Sequence, residues 1–228
     1  MNWLDRLRLS PRSHELEPMR ALLAAVDARD SYTGSHSVAV AVYAVEIGRR
    51  LALSTTALRQ LRLAALLHDV GKIGVPDRIL NKPGPLTPEE TKVMRRHPAI
   101  ALNILRSMKG FRGCRAMILH HHERYDGGGY PSGLSGERIP VGARIVAVAD
   151  AVDTMLSPRS YKPAYAVHEV RNELMEEMGR QFDPLVVGAT LAWLEDGWAP
   201  DAAPPLANAL GALKMSSSNP AACTPDRR

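Results

Sequence analysis

The chain has 228 residues, 45% of them hydrophobic and 23% charged, which suffices for one full core and excludes a chain disordered throughout. A formal charge of +5 suits an anionic partner, but the basic residues are spread along the chain and only 5% of residues are aromatic, which argues against a nucleic-acid polymer and for a small anionic substrate. Cys114 and Cys223, without CxxC spacing, support neither a disulfide framework nor a thiolate zinc site.

The N-terminal MNWLDRLRLS interrupts its apolar residues with Asp5, Arg6 and Arg8, so no signal-peptide core forms. No apolar run approaches the ~20 residues of a membrane span, and a soluble, cytoplasmic protein is expected. Residues 15–29 place Met19, Leu22, Leu23 and Val26 on one helical face. Residues 35–53 repeat the pattern with Val38, Ala41, Val42 and Val45, with Ser35 as the expected cap. Residues 56–70 read as a central buried helix ending at Gly71.

Three prolines and a glycine make 77–90 a loop, and Thr87-Pro88-Glu89-Glu90 starts a helix that runs to Met108, with Pro98 kinking or restarting it. Another helix runs from Cys114 to the histidines at 120–122, followed by a long loop over 123–141. Val141–Leu156 reads as a buried helix; Ile145–Val148 is β-prone, but no partner strand is evident elsewhere. Helices over 166–179 and 184–196 close the core, and 199–228, rich in Ala, Pro and Ser, reads as a loose tail.

Neutral imidazole and carboxylate are the usual ligands of catalytic first-row metals, and several stand where burial is expected. His68 and Asp69 follow the apolar end of the central helix, where an unpaired charge would cost several kcal/mol. Asp150 and Asp153 interrupt an equally apolar segment, and either could instead cap a helix or pair with an arginine such as Arg144. His36 opens the second helix, His97 lies in MRRHPAI, and His120, His121 and His122 follow MIL. A helix turns ~100° per residue, so three adjacent histidines cannot all face one cavity, and His120 is the one to set aside. His14 and His168 are expected to be solvated. Five histidines and two aspartates exceed the needs of one ion and point to two metals with a bridging carboxylate.

These motifs carry a resemblance. His68-Asp69, followed by GKIGVP, is similar to the signature of the HD metal-dependent phosphohydrolases, and HHERYDGGGYP over 121–131 resembles the long motif of their HD-GYP subfamily. KPGPLTPEE, ARIVAVADAVD and QFDP extend the likeness from about Asp30 to Leu194. The resemblance implies an all-α, compact multi-helix bundle of the HD-domain type with a binuclear metal site in its core. It implies a catalytic domain over 30–196, while apolar spacing makes 1–29 a helical extension and composition makes 197–228 a flexible tail. By the same likeness, His36, His68, Asp69 and Asp150 hold one divalent ion and Asp69, His97, His121 and His122 a second, with iron or manganese expected. Asp69 and Lys72 are the implied catalytic residues, and Arg159, Lys162 and Tyr130 the substrate-binding ones. Glycines in the 127–129 stretch let the Gly-Tyr-Pro segment approach the metal centre.

The implied reaction is hydrolysis of cyclic di-GMP to pGpG, carried further to GMP by part of the family. Alternatives are a signalling module acting through a protein partner or a homodimer, and hydrolysis of another cyclic dinucleotide. Two departures are visible. Tyr32 stands where some relatives carry a metal-binding glutamate, so two metals are expected and not three, and Pro158-Arg159-Ser160-Tyr161 replaces the usual Asp-Arg-Pro-Tyr.

Overall fold

The computed structural model describes residues 21–26, 33–157 and 163–196. Among the described residues there are nine α-helices between Thr33 and Glu195, a further helical stretch over 21–26 and no strand, so 144–148 is helical, as its lack of a partner strand requires. Of the helix expected over 15–29, residues 21–26 are described and helical, with Leu23 and Val26 buried. The tail from 197 onward, Arg159, Lys162 and Tyr32 lie outside the described residues.

Helix α1 (Thr33–Arg50) begins two residues before Ser35, which therefore sits inside the helix and not at its cap. Thr33 and Ser35 are both good capping types, and the sequence alone does not rank them. Helix α2 (Thr55–Leu67) is capped by Ser54, whose hydroxyl accepts the Ala57 N–H at 3.3 Å. It stops at Leu67, short of the expected residue 70, and a tight 3₁₀ turn over Val70–Gly74 follows. The cause is a close approach: a Cβ on Gly71 would stand 1.8 Å from the His97 carbonyl oxygen, so only glycine lets this turn pack there.

Within the segment expected to be loop, Asp77–Leu80 forms one turn of helix, α3, behind Pro76. Helix α4 (Pro88–Met94) starts with a full capping box: the Thr87 hydroxyl accepts the Glu90 N–H at 3.3 Å and Glu90 Oε2 accepts the Thr87 N–H at 2.8 Å. The chain breaks at Arg95 and Arg96 and restarts as α5 (His97–Leu105), with Pro98 in the first turn, where its missing N–H costs nothing. Helix α6 (Arg115–Leu119) ends immediately before the three histidines. The remaining helices are α7 (Val141–Leu156), α8 (Val167–Glu176) and α9 (Pro184–Glu195). Helix α8 ends three residues before the expected 179, ahead of Gly179 at φ +79°.

Helices α1, α2 and α7 pack on one another, with α6 against α5 and α7 and α9 against α1. The small residues Ala44, Ala64 and Ala149 of α1, α2 and α7 are fully buried, in one core cluster with the larger Ile47, Leu61 and Val148. Each such large side chain contributes about 1.5–3 kcal/mol on burial. This packing brings together the end of α2, the start of α5, the end of α6 and the middle of α7. Among the described residues, no helix is long and apolar enough to cross a membrane.

Candidate metal centre

Three histidines are oriented by one repeated local device. His68 follows α2, His97 begins α5 just past α4, and His121 follows α6. Each places Nδ1 against a carbonyl oxygen three residues back, in the last turn of the preceding helix: His68 on Ala65 at 2.7 Å, His97 on Met94 at 2.9 Å and His121 on Ile118 at 2.7 Å. Helix ends leave such carbonyls without intrahelical partners, and a carbonyl only accepts. Nδ1 must therefore carry the proton, which leaves Nε2 as a lone-pair donor. The Nε2 atoms of all three are buried without a hydrogen-bond partner. Three buried lone pairs converging without a donor fit a cation and are costly otherwise.

Asp69 stands between two groups of ligand-type atoms. Its Oδ2 faces His68 Nε2 at 3.5 Å and Lys72 Nζ at 2.7 Å, while Oδ1 faces His97 Nε2 at 3.4 Å. Asp69, His97, His121 and His122 offer ligand atoms all within 4.8 Å of one another, and His36, His68 and Asp69 do the same. Asp150 joins the second group through His36, with Oδ1 at 3.2 Å from His36 Nε2. All seven histidines and aspartates singled out as ligands thus converge, and Asp69 belongs to both groups.

The electrostatics follow from burial and neighbours. Burial alone would raise the Asp69 carboxyl, but Lys72 and the imidazoles of His68, His97 and His36 hold it well below the usual carboxylate range. Burial pushes the imidazoles of His97 and His121 down and takes His122 to about 4, with neighbouring imidazoles adding to the effect. These rings are neutral near pH 7 and do not hold protons against a metal. His36 goes the other way: burial lowers it, but hydrogen bonds to Asp150 and Asp153 outweigh that and raise it to about 10. Lys72 lies in the 3₁₀ turn, not in a continued helix, and supplies the charge compensation that the buried Asp69 requires.

The Gly-Tyr-Pro loop is held by a residue that the sequence did not single out. The Glu123 carboxylate, buried, accepts the Ser132 N–H at 2.7 Å on Oε1 and the Leu134 N–H at 3.1 Å on Oε2. The Tyr130 N–H donates to the His122 carbonyl at 3.1 Å, and its ring stacks on the His122 imidazole with centroids 4.8 Å apart. A Cβ on Gly129 would meet the Arg124 backbone nitrogen at 2.3 Å, so the loop folds back on the histidines only with glycine there. Arg124 anchors the loop base through Asp126 at 2.8 Å and Gln181 at 3.0 Å.

His120 is outside the cluster, as expected, but for a different reason. Helix α6 ends at Leu119, so a turn rather than helical rotation sorts the three histidines, and His120 Nδ1 faces Glu123 Oε1 at 3.4 Å. His168 is exposed, and His14 lies outside the described residues. Arg144 pairs with Asp183 and not with Asp150 or Asp153. Asp153 instead takes the other nitrogen of His36, with Oδ2 at 2.7 Å from Nδ1. The signal for that role was present: Asp153 lies three residues after Asp150, on the same face of α7.

An all-helical core that joins helix ends into two overlapping histidine–carboxylate groups, with one aspartate common to both, defines a helical domain built to bind metal. The family model described as HD domain matches residues 20–186, and the chain belongs to the HD-domain family. Its motifs are those of the HD-GYP group. The cyclic di-GMP phosphodiesterase response regulator RpfG of Xanthomonas campestris is 45% identical over 179 residues, covering 78% of this chain and 47% of that protein. The 3′3′-cGAMP-specific phosphodiesterase 2 of Vibrio cholerae is 37% identical over 183 residues, covering 79% of this chain and 35% of that protein. The chain spans less than half the length of both relatives. Among solved structures, Bd1817, a HDG"Y"P protein from Bdellovibrio bacteriovorus, shares the fold with a TM-score of 0.59 at 24% identity, over 73% of this chain and 53% of that one.

Proposed function

We propose that the chain is a cyclic di-GMP phosphodiesterase that breaks one P–O3′ bond of its substrate and adds water across it, giving linear pGpG. The observation that carries this reading is the set of three backbone-oriented, unpartnered imidazole nitrogens around Asp69, reinforced by relatives named for this reaction. His36, His68, Asp69 and Asp150 would hold one divalent ion and Asp69, His97, His121 and His122 another, iron or manganese by the nitrogen and oxygen character of the donors. When bound, two such ions supply Lewis-acid charge that stabilises developing negative charge on a phosphate. The chain itself does the rest.

In this reading Lys72, held 2.7 Å from Asp69, neutralises the carboxylate and adds positive charge where the phosphate arrives. Tyr130, stacked on His122, forms one wall of the substrate site and keeps water from that face of the ring. Arg159 and Lys162 belong to the substrate-binding set by resemblance, through guanidinium and ammonium donors suited to phosphate or guanine. The domain limits 30–196, with an N-terminal extension and a tail, and a cytosolic location where Cys114 stays reduced complete the reading.

The test is chromatography of nucleotides after incubating manganese- or iron-loaded protein, purified anaerobically, with cyclic di-GMP, alongside Asp69→Asn. Formation of pGpG by the unmutated protein alone is the expected result; persistence of cyclic di-GMP with metal bound refutes the substrate. A second reading, hydrolysis of 3′3′-cGAMP, is favoured by the likeness to the Vibrio cholerae enzyme. Competition between the two cyclic dinucleotides separates them.

A further inference from the structure

Arg95 is absent from every role described so far. It occupies the break between α4 and α5, two residues before His97, with its side chain exposed. Its guanidinium carbon lies 5.0 Å from the centroid of the Tyr130 ring, and the same ring stacks on His122 at 4.8 Å. Among the described residues Arg95 forms no ion pair, although the chain pairs Arg50, Arg124, Arg144 and Arg171 with carboxylates. A guanidinium held by an aromatic face keeps its N–H donors free to receive an anion, because the cation–π contact uses none of them. The result is a positioned cation one aromatic ring away from the metal cluster.

A cyclic dinucleotide carries two phosphodiesters on a small ring, and only one of them can be the bond being cut. The other needs a counter-charge nearby but outside the metal ligands. We propose that Arg95, steadied by Tyr130, binds the phosphodiester that is not hydrolysed and so makes the site selective for cyclic dinucleotides over simple phosphodiesters. This rests on the phosphodiesterase reading above. A planar fork of donors suits a phosphate better than the point charge of lysine, so replacement by lysine restores binding only in part.

The test compares unmutated protein, Arg95→Ala and Arg95→Lys, all manganese-loaded, on cyclic di-GMP and on bis(p-nitrophenyl) phosphate, a diester with a single phosphate. The readout is the ratio of kcat/KM for the two substrates. The expected outcome is a ratio at least tenfold lower in Arg95→Ala, through KM for cyclic di-GMP, and intermediate in Arg95→Lys. A merely structural clamp on the loop would lower both substrates alike; an unchanged ratio in active, folded variants therefore overturns the Arg95 role while leaving the phosphodiesterase reading intact. If the unmutated protein cleaves bis(p-nitrophenyl) phosphate but neither cyclic dinucleotide, the phosphodiesterase reading fails and the Arg95 role fails with it.

Discussion

Replacing Glu123 by glutamine tests how the Gly-Tyr-Pro loop is held. Each carboxylate oxygen accepts one backbone N–H, from Ser132 at 2.7 Å and Leu134 at 3.1 Å, and the side chain is fully enclosed. Glutamine keeps one acceptor and turns the other oxygen into an NH₂ group that faces an N–H donor. One charge-assisted hydrogen bond is lost and a buried donor is left without an acceptor, at a cost of about 2–3 kcal/mol. That cost falls on the loop rather than on the helical core, because both partners are loop amides. Local opening should therefore become about 30- to 150-fold more frequent, by the same energy. Amide hydrogen exchange at Ser132 and Leu134 reads it directly, with core amides such as Val148 as the internal reference. Exchange at both loop amides within threefold of the unmutated protein would refute the role assigned to Glu123.

Asp153→Asn removes the charge that holds His36 Nδ1 at 2.7 Å, and metal affinity at the His36, His68, Asp69 group should fall about 10- to 100-fold, read by metal analysis after dialysis against graded chelator. Gly71→Ala drives a Cβ to 1.8 Å from the His97 carbonyl oxygen and should cost about 3 kcal/mol or more, seen as a lower urea midpoint. Chelator-treated protein should lose stability as pH falls from about 6.5 to 4. The His122, His97 and His121 imidazoles have lowered folded pKa values, so the unfolded chain binds more protons across that window. His36, raised to about 10, has the opposite sign: its contribution is fully present below 6.5 and is lost as pH rises toward 10. Urea unfolding at pH 7 and pH 5 checks the first window, and equal midpoints would contradict it.

The helices and the ligand cluster were legible because both follow from local chemistry. Apolar spacing marked α1, α2 and α7, and charged groups in apolar surroundings marked Asp69 and Asp150 as residues needing compensation. What escaped depends on where helices stop. Helix α2 ends early because Gly71 must meet α5, a contact between residues 26 positions apart that no local pattern encodes. Arg95 reads as one more surface arginine in MRRHPAI until the loop folds Tyr130 beneath it. Glu123, inside the recognised motif, has neighbours that suggest metal chemistry, whereas its actual partners are amides 9 and 11 residues further on.

The way His68, His97 and His121 are oriented also bears on how freely this sequence can change. Ala65, Met94 and Ile118 supply main-chain oxygens, which every amino acid provides. Evolution can therefore exchange those three side chains, within the limits of packing, without re-aiming the imidazoles. His36 is different, because its orientation depends on the carboxylate of Asp153, one side chain on another helix. The ligands of the cluster are therefore unequally exposed to mutation: His68, His97 and His121 are anchored by the backbone and tolerate drift around them, whereas His36 can be detuned by a single codon.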